Sequence, residues 1–598
     1  MKYSISRSFY FLVLLGLHLQ GAPAGNTFAQ LRQSGEIKMS PEAWTQGELE
    51  KYWLLQKDYN QQQQAVEGGQ GVVAVTSDAF AARIGLEALR QGGSAADAAL
   101  ATALAQVALK GGSTISYAGI LMMVYYDAAS KKVYSLNAGY NTVQEEKDPL
   151  TIPRMGTPSG RSALVPGFFA GVQAAHDRFG KLSFASLFEP AIYLAEKGVI
   201  VDPLLGFFID SQKGVLTRRP ETKRVFTKES GEFYKTGDLF KQPQLAETLR
   251  KVASQGADYI YHGEWAKKFV AAAQSEGSRI TLADLKAYRA IWSEPAQTSY
   301  QGYQVYSLGH PSFGGVNTIE ALNLLEVADL KRRGHYTTSP EALYDFIQIC
   351  RAGLFLSFQP EIVKMQAPEL DLSLESRVKK ETARLLWQKM REPDWQKRLS
   401  ESKPKDTGNN HSAGVVTVDA RGNVAAVLHS INTLYWGATG IFVDGVSIPD
   451  SASFQQAQIA KLKPGDRLPE IADPVIVLKD GKPYLASSAI GSALHSTTMN
   501  NLVNVLDFGM DLKKSIYTPN LMGPLVGRPV WDAEALAEGD FAENLVQAVI
   551  AKGQAIKLLS KTEARAQRSY LVAIQIDTKT GKRVGVAPPG LNGYVAAY

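Results

Sequence analysis

The sequence predicts an α+β fold in which antiparallel sheets lie between layers of helices. Two observations lead to this prediction. Helical patterns dominate residues 160–400, whereas beyond residue 410 short apolar runs flank compact turns. No segment of the chain repeats another, which argues against solenoid and propeller architectures. The middle of the chain therefore supplies most of the helices, and its last third supplies most of the hairpins.

The first ordered elements are expected to be a strand and two helices. Gly71–Val75 is a short apolar run typical of a buried strand, and helical spacing predicts a helix over Ala79–Gln91. Gly92-Gly93 stops that helix, and an Ala-rich helix begins at Ser94. Two strand-like runs follow: Ile120–Tyr126 and Lys132–Leu136.

Three hairpins are predicted near the C-terminus because turn residues separate pairs of β-branched runs. The run pairs are 415–418 with 424–428, 475–478 with 484–486, and 570–576 with 583–587. Between the helical middle and the first hairpin, residues 373–407 are highly charged and are predicted to form an exposed linker.

The N-terminus has the pattern of a secretory leader. Lys2 and Arg7 precede an apolar run over Phe9–Leu19, and small residues follow around Ala24. We expect a signal peptide over residues 1–24 (cleavage after Ala29 is the alternative), then an N-terminal arm over 25–69. An uncleaved anchor is the other interpretation, although the run is shorter than the ~20 residues that a stable span needs. The protein is therefore expected to be exported, periplasmic or secreted, with no stable membrane span.

Composition excludes several classes of function. A net charge of +6 over 598 residues is too small to indicate nucleic-acid binding. The single cysteine, Cys350, excludes an internal disulfide and lies in a helix-like run, where core packing is expected. Eight scattered histidines predict no metal site, and no cofactor-binding fingerprint occurs. Length alone predicts about four domains.

One junction has the features of a self-cleaving site. The polar segment Asp406–Gly414 leads directly into the strand that begins at Val415. If the backbone were cut before Ser412, its hydroxyl would be the nucleophile and its freed α-amine the base. An α-amine with a pKa of about 7.7–8.0 suits proton abstraction near neutral pH. From spacing alone, an ordinary loop before a hairpin remains the alternative.

Several ordered motifs resemble the γ-glutamyltranspeptidase family, over about residues 70–598. The resemblance implies an αββα sandwich of the N-terminal nucleophile hydrolase type, self-cleaved into a large subunit (70–411) and a small subunit (412–598) in place of four domains. Its expected substrate is a small-molecule or peptide amide. The matching motifs are Gly71-Val-Val-Ala with Gly92-Gly93-Ser-Ala-Ala-Asp97, Leu164-Val-Pro-Gly167, His310-Pro-Ser-Phe-Gly-Gly-Val316, Asn323-Leu-Leu-Glu326 and Gly590-Leu-Asn-Gly593.

The resemblance also implies roles for individual residues. The family nucleophile stands ten residues before the glycine of an Asp-x-x-Gly turn, and counting back from Gly422 gives Ser412. Ser430 falls where a second hydroxyl lies beside the nucleophile's amine, and Asn432 falls on a substrate-binding asparagine. Gly491 matches one of two glycines whose N–H groups form the oxyanion hole.

Departures from the family pattern concentrate on substrate recognition. Ile490 replaces the other oxyanion-hole glycine and is expected to disfavour positive φ. The carboxylate-binding arginine is missing from residues 136–141. Glu470 aligns with a serine that helps to hold the carboxylate, and an anionic side chain there is expected to repel it. Asp450 is one place from the acidic pair that binds an amine, and a one-residue shift would let it bind the amine of a substrate. Gly414 replaces a histidine.

Three functions stay open at this point. The first is an exported amidohydrolase or acylase acting on a non-glutamyl acyl group, either cationic or neutral. The second is a γ-glutamyltransferase or glutathione hydrolase that holds the carboxylate through another group, such as Arg154 or Arg161. The third is an inactive relative that serves as a binding protein.

Overall fold

Two antiparallel sheets of seven strands each form the centre of the molecule. The computed structural model describes residues 38–57, 65–392, 395, 412–523, 533–588 and 590–598. The predicted leader and the residue before Ser412 lie outside these ranges. From Met39 onward the described chain belongs to one compact unit.

The strands are numbered in chain order. They are β1 (Val66–Gly68), β2 (Val72–Val75), β3 (Ile120–Asp127), β4 (Lys132–Ala138), β5 (Val199–Ile200), β6 (Leu239–Phe240), β7 (Ile291–Ser293), β8 (Ala296–Tyr300), β9 (Tyr303–Ser307), β10 (Ser412–Val418), β11 (Val424–Ser430), β12 (Ile441–Val443), β13 (Val446–Ile448), β14 (Val475–Lys479), β15 (Lys482–Ile490), β16 (Ala533–Ala537), β17 (Ala555–Leu559), β18 (Tyr570–Ile576), β19 (Arg583–Val586) and β20 (Tyr594–Ala597).

Both large sheets combine strands from before and after Ser412. One has the order β20-β2-β10-β11-β3-β4-β7, and the other has the order β1-β19-β18-β15-β14-β9-β8. The three predicted hairpins are confirmed as the antiparallel pairs β10–β11, β14–β15 and β18–β19. Three two-stranded sheets, β5–β6, β12–β13 and β16–β17, lie apart from the two large ones.

A shared apolar core lies between the two large sheets. It includes Val416 and Leu428 from one sheet and Ile476, Ala486 and Val572 from the other. Every residue of β11 is buried, and so is every residue of β10 after Ser412. Strands covered on both faces need apolar residues at successive positions, which explains their continuous Val/Ala runs.

Helices cover the outer faces of both sheets. Ala79–Arg90 and Ala95–Leu109 pack against the sheet that contains β10, while Phe313–Ala328 and Leu494–Leu502 pack against the other. The longer helices are Gln46–Lys57, Ala79–Arg90, Ala95–Leu109, Phe168–Phe179, Glu189–Lys197, Pro203–Ser211, Pro220–Phe226, Pro243–Gln255, Glu264–Gln274, Phe313–Ala328, Pro340–Phe358, Pro360–Gln366, Lys380–Met390, Leu494–Leu502, Glu543–Ala551 and Lys561–Gln567. The shorter helical segments are Pro41–Ala43, Pro149–Thr151, Gly160–Ser162, Ala185–Phe188, Lys213–Leu216, Asp258–Tyr261, Leu282–Ala287, Leu330–Arg333, Leu374–Arg377, Gln456–Ile459, Val503–Asp507 and Leu512–Tyr517.

The layers therefore run helix, sheet, sheet, helix, which confirms the α+β sandwich. The early helices also start and stop as predicted: the Ser94 side chain and Asp97 form a capping box at the start of Ala95–Leu109. Cys350 is buried within Pro340–Phe358, as expected of core packing.

Two segments are more ordered than the sequence indicated. Within the predicted arm, Gln46–Lys57 is a helix that packs against Ala79–Arg90, where Glu48 forms a 2.6 Å ion pair with Arg83. Within the predicted exposed linker, Lys380–Met390 is a helix that buries Ala383, Leu386 and Met390. The linker prediction was wrong there because apolar residues at helical spacing were outnumbered by charges.

Candidate active site

Ser412 is the first residue of β10, a strand in the middle of its sheet. β10 is hydrogen-bonded to β2 on one side and to β11 on the other, and Ser412 lies directly opposite Ser430. The Ser412 Oγ donates to the Ser430 Oγ over 2.9 Å. The pairing with β11 therefore positions the Ser412 backbone, β2 flanks the strand from Val415 onward, and one hydroxyl contact orients the Ser412 side chain.

Asn432 extends the contact beyond the end of β11. Its backbone N–H donates to the Ser430 Oγ over 3.0 Å, and its side-chain Nδ2 donates to the Glu470 Oε2 over 2.6 Å. Asn432 has φ of +53°, a left-handed conformation that asparagine adopts more readily than most residues. Ser412, Ser430, Asn432 and Glu470 thus form one continuous chain of hydrogen bonds.

Glu470, the carboxylic acid in this chain of hydrogen bonds, has a strongly shifted pKa. Its side chain is almost fully buried, and burial raises the pKa of its carboxyl to about 8, although the Asn432 hydrogen bond and Arg467 oppose the rise. The carboxyl is therefore mainly neutral at neutral pH. The expectation of an anionic Glu470 that repels a carboxylate is wrong in that form, because the protein interior disfavours the charge.

Arg467, which no sequence motif indicated, lies against residues 136–141, the segment from which the family's carboxylate-binding arginine is missing. The Arg467 Nε donates to the Asn141 Oδ1 over 2.6 Å, and its Nη1 donates to both oxygens of Asn137 over 2.7 Å. Its Nη2 donates to the Arg289 carbonyl over 2.6 Å. The guanidinium is thus engaged at both of its ends by this chain's own acceptors. Its partners lie hundreds of residues away in sequence, so no local motif reveals it.

Asp450 is connected to the same region through the residue after Asn432. The Thr433 hydroxyl donates to the Asp450 Oδ1 over 2.6 Å, while the Oδ2 has no hydrogen-bond partner among the described residues. Burial raises the pKa of the Asp450 carboxyl, and the Thr433 hydroxyl, the nearby Ala438 N–H and the nearby Ser453 hydroxyl oppose the rise. The Glu470 Oε1 is likewise unpartnered within the described chain.

Ile490 and Gly491 lie where β15 of the facing sheet ends. Ile490 is buried and opposes Tyr570 of β18. The positive φ, +102°, belongs to Gly491, and Ile490 does not share it. The expected conflict between Ile490 and a left-handed conformation therefore does not arise. Within the described residues no hydrogen bond joins either residue to Ser412.

Gly414 stands where the family pattern has a histidine, and close packing explains the exchange. A Cβ at this position would lie 3.0 Å from the Ser488 Oγ and 3.1 Å from the Thr76 Cγ2. The Gly414 N–H also donates to the Thr76 Oγ1 over 2.9 Å. The two sheets approach too closely here for a large side chain.

The described residues contain neither a cluster of metal-binding side chains nor a helix that could span a membrane. No group of three histidine, cysteine, aspartate or glutamate side chains is placed to hold a metal ion in the described part of the chain. In those same residues, no helix has the length and apolar character needed to cross a membrane.

The four-layer sandwich, with a serine hydroxyl at the start of a central strand, defines an N-terminal nucleophile hydrolase. A sequence profile described as Gamma-glutamyltranspeptidase matches residues 81–598, so the chain belongs to the γ-glutamyltranspeptidase family. It is accordingly an amide-hydrolysing enzyme of that class.

Known relatives differ in what their names say they hydrolyse. The Glutathione hydrolase proenzyme of Escherichia coli is 27% identical over 526 residues, which cover 82% of this chain and 87% of the relative. The Acylase ACY 1 proenzyme of Pseudomonas sp. (strain SE83) is 26% identical over 521 residues, which cover 83% of this chain and 89% of the relative. The crystal structure of cephalosporin acylase from Bacillus halodurans superposes with a TM-score of 0.73 at 22% identity. The match covers 90% of this chain and 98% of that structure, and it shows that the fold is shared.

Proposed function

We propose that this chain is an exported acylase-type amidohydrolase that cuts itself before Ser412 and then cleaves an amide through an acyl-enzyme. The observation that carries the proposal is the Ser412–Ser430 hydroxyl contact at the start of a central strand. Export is supported by the leader pattern of the first residues.

Self-cleavage needs no group beyond those at the strand start. The Ser412 Oγ attacks the carbonyl carbon of residue 411 and its proton passes to the amide nitrogen. The C–N bond breaks, which frees the Ser412 α-amine and leaves an ester between the two parts. Water then hydrolyses the ester, which releases residue 411 as a free carboxyl and restores the Ser412 hydroxyl. The α-amine is the base for the next reaction, and Ser430 holds the hydroxyl in position.

The mature reaction repeats this chemistry on an external amide. The Ser412 Oγ gives its proton to the α-amine and attacks the substrate carbonyl, and the Gly491 N–H stabilises the oxyanion. The leaving amine takes the proton as its C–N bond breaks. Water then attacks the acyl–Ser412 ester, and a free acid leaves.

The substrate's acyl group is proposed to be non-glutamyl. A bidentate arginine is the usual partner of a buried carboxylate, but Arg467 is engaged by Asn137, Asn141 and the Arg289 carbonyl. Arg161, one of the alternatives considered above, is held by Glu146 over 2.9 Å. Arg154 is exposed.

γ-Glutamyl transfer or hydrolysis remains the second candidate, favoured by the position of Asn432 within hydrogen-bond reach of the Ser412–Ser430 pair. Intact mass of the purified protein tests the first step, since two chains that divide between residues 411 and 412 are expected. A single uncut chain without amidase activity would instead support the inactive-relative hypothesis. Hydrolysis of a γ-glutamyl anilide faster than any other acyl anilide would favour the second candidate over the first.

A further inference from the structure

A buried glutamine of the N-terminal arm contacts segments from both sides of the proposed cut. Gln56 lies in the last turn of the helix Gln46–Lys57, which we call the arm helix, and is only 2% exposed. Its Nε2 donates to the Asp78 Oδ1 over 2.5 Å, and its backbone carbonyl accepts from the Asn592 Nδ2 over 3.1 Å. One residue therefore joins a segment of the large subunit to a segment of the small one.

The segment that contains Asp78 is bound to the nucleophile's strand. Two residues earlier, the Thr76 N–H donates to the Gly414 carbonyl over 3.0 Å, and the Gly414 N–H donates to the Thr76 Oγ1 over 2.9 Å. These bonds carry the contact between β2 and β10 beyond its first paired residue, Val415, toward Ser412. Thr76 thus holds β10 within two residues of the nucleophile.

The segment that contains Asn592 packs on Thr76 as well. A Cβ at Gly593 would lie 3.3 Å from the Thr76 carbonyl oxygen and 2.4 Å from the Pro588 carbonyl oxygen, so glycine permits a close approach here. Asn592 has φ of +61°, a left-handed conformation that is uncommon outside glycine. The hydrogen bond from the Asn592 amide to the Gln56 carbonyl therefore holds a tight turn next to Thr76.

Asp78 forms a buried corner between β2 and the helix Ala79–Arg90. It has φ of +75°, which also lies in the left-handed region. Its carboxylate accepts from the Gln56 Nε2 and the Ser77 Oγ, and the Lys110 Nζ lies 2.9 Å from the Oδ1. The Gln56 amide is thus one of three donors that hold this corner in an unfavourable backbone conformation.

We propose that Gln56 is a positioning residue of the active site. Through its two partners it holds Thr76 against Gly414 and so fixes the start of the nucleophile's strand. The inference rests on the proposed function and extends it to the N-terminal arm. β2 and β11 border β10 on opposite sides, so the substrate contact proposed for Asn432 lies away from Gln56. Loss of the Gln56 amide should therefore slow attack by Ser412 and leave substrate binding nearly unchanged.

The rate of self-cleavage tests the inference because it needs no external substrate. The full chain is made by cell-free synthesis, and the two products are followed on denaturing gels. Gln56→Met keeps the length of the side chain but cannot donate, so cutting should slow about tenfold. Glu48→Gln is the control, since Glu48 anchors the same helix through its 2.6 Å pair with Arg83. Its rate should stay within about twofold of the unmodified chain. Equal slowing in both variants would mean a general loss of the arm and would overturn the inference.

Turnover by the cut enzyme is the second measurement, with γ-glutamyl and butanoyl para-nitroanilides as probes. Gln56→Met should lower kcat about tenfold and leave KM within about twofold, because a misplaced nucleophile affects the chemical step more than binding. A raised KM with an unchanged kcat would contradict a positioning role. If neither probe is hydrolysed by the unmodified enzyme, the rate of cutting decides.

Asn592→Gly tests the other partner and decides the matter if Gln56→Met fails to fold. Glycine accepts the positive φ but lacks the amide that bonds to the Gln56 carbonyl, so cutting should again slow. The double variant should lose less than the product of the two single losses, since both act on Thr76. Unchanged cutting in both single variants would overturn the inference and leave the proposed function intact. An uncut, inactive unmodified chain would contradict the proposed function itself.

Discussion

Ser412 and Ser430 face each other across an antiparallel strand pair, with their hydroxyl oxygens 2.9 Å apart. The register of the whole β10–β11 pair fixes this contact, since Val415 opposes Val427 and Val418 opposes Val424 farther along. β10 is also paired with β2 on its other side, where Val415 opposes Val75 and Val418 opposes Val72, so two sets of strand pairs hold this register.

Removing the Ser412 hydroxyl should block self-cleavage. We expect Ser412→Ala to give one uncut chain, because alanine offers no oxygen for attack on the preceding carbonyl. Ser412→Thr restores a hydroxyl at the same atom position and should be cut. Intact mass spectrometry distinguishes the two results, and two chains from the alanine variant would mean that another residue is the nucleophile.

The Ser430 hydroxyl should matter for turnover more than for the fold. In Ser430→Ala, both the Ser412 Oγ and the Asn432 N–H lose their partner, so kcat should fall about tenfold or more. Ser430→Thr should retain most activity. Ser488→Ala is the control, since Ser488 is a buried serine of β15 that donates to the Val427 carbonyl. Equal losses in both alanine variants would point to a general packing effect.

The raised pKa of the Glu470 carboxyl predicts how the stability of the protein depends on pH. Between 4.5 and about 8 the folded protein retains a proton on Glu470 that the unfolded chain has released. The stability that the protonated Glu470 carboxyl gives the fold is fully present below pH 4.5 and is lost as pH rises through about 8. Within this window the free energy of unfolding falls by at most about 1.4 kcal/mol per pH unit. Glu470→Gln should make the unfolding midpoint less sensitive to pH in this window, as urea titrations can measure. An unchanged pH dependence would mean that the carboxyl is already ionised in the fold.

A side chain at position 491 should destabilise the protein. Gly491 has φ of +102°, and an added Cβ would lie 2.6 Å from the Ser569 Oγ. Gly481→Ala isolates the cost of a positive φ, because that glycine has φ of +74° and nothing within 4 Å. We expect a loss of about 1 kcal/mol for Gly481→Ala and at least about 1 kcal/mol more for Gly491→Ala. Urea denaturation of both variants would reveal equal losses if the crowding were absent.

Local signals in the sequence were sufficient to predict the strands near the site. The turn between β10 and β11 was readable because the Asp419 carboxylate accepts hydrogen bonds from the backbone of Arg421 and Asn423, a contact that depends only on nearby residues. The helix over Gln46–Lys57 was missed because it is mostly polar and packs through the Glu48–Arg83 pair. Propensity alone does not reveal such a tertiary contact.

The chemical state of the site was harder to predict than its position. The resemblance to the family motifs indicated Ser412, Ser430 and Asn432, and the structure brings all three together. The neutral state of Glu470 depends on burial, which is a property of the whole fold. Arg467 donates a hydrogen bond to Asn137, which lies 330 residues away in sequence. A local sequence motif cannot predict a contact over that separation.

The arrangement of strands in the two large sheets would hold the two products of a cut before Ser412 together in the folded state, but it would not let them refold as a single chain. Because β10 lies between β2 and β11, and β14 pairs with β9, neither product could leave without exposing unpaired strand edges of the other. The cut pieces would persist as one particle, held for as long as that particle stays folded. After complete unfolding, however, two separate chains would have to find each other again. Reassembly would then become dependent on concentration, so the enzyme's working lifetime would be set by its rate of unfolding more than by its equilibrium stability.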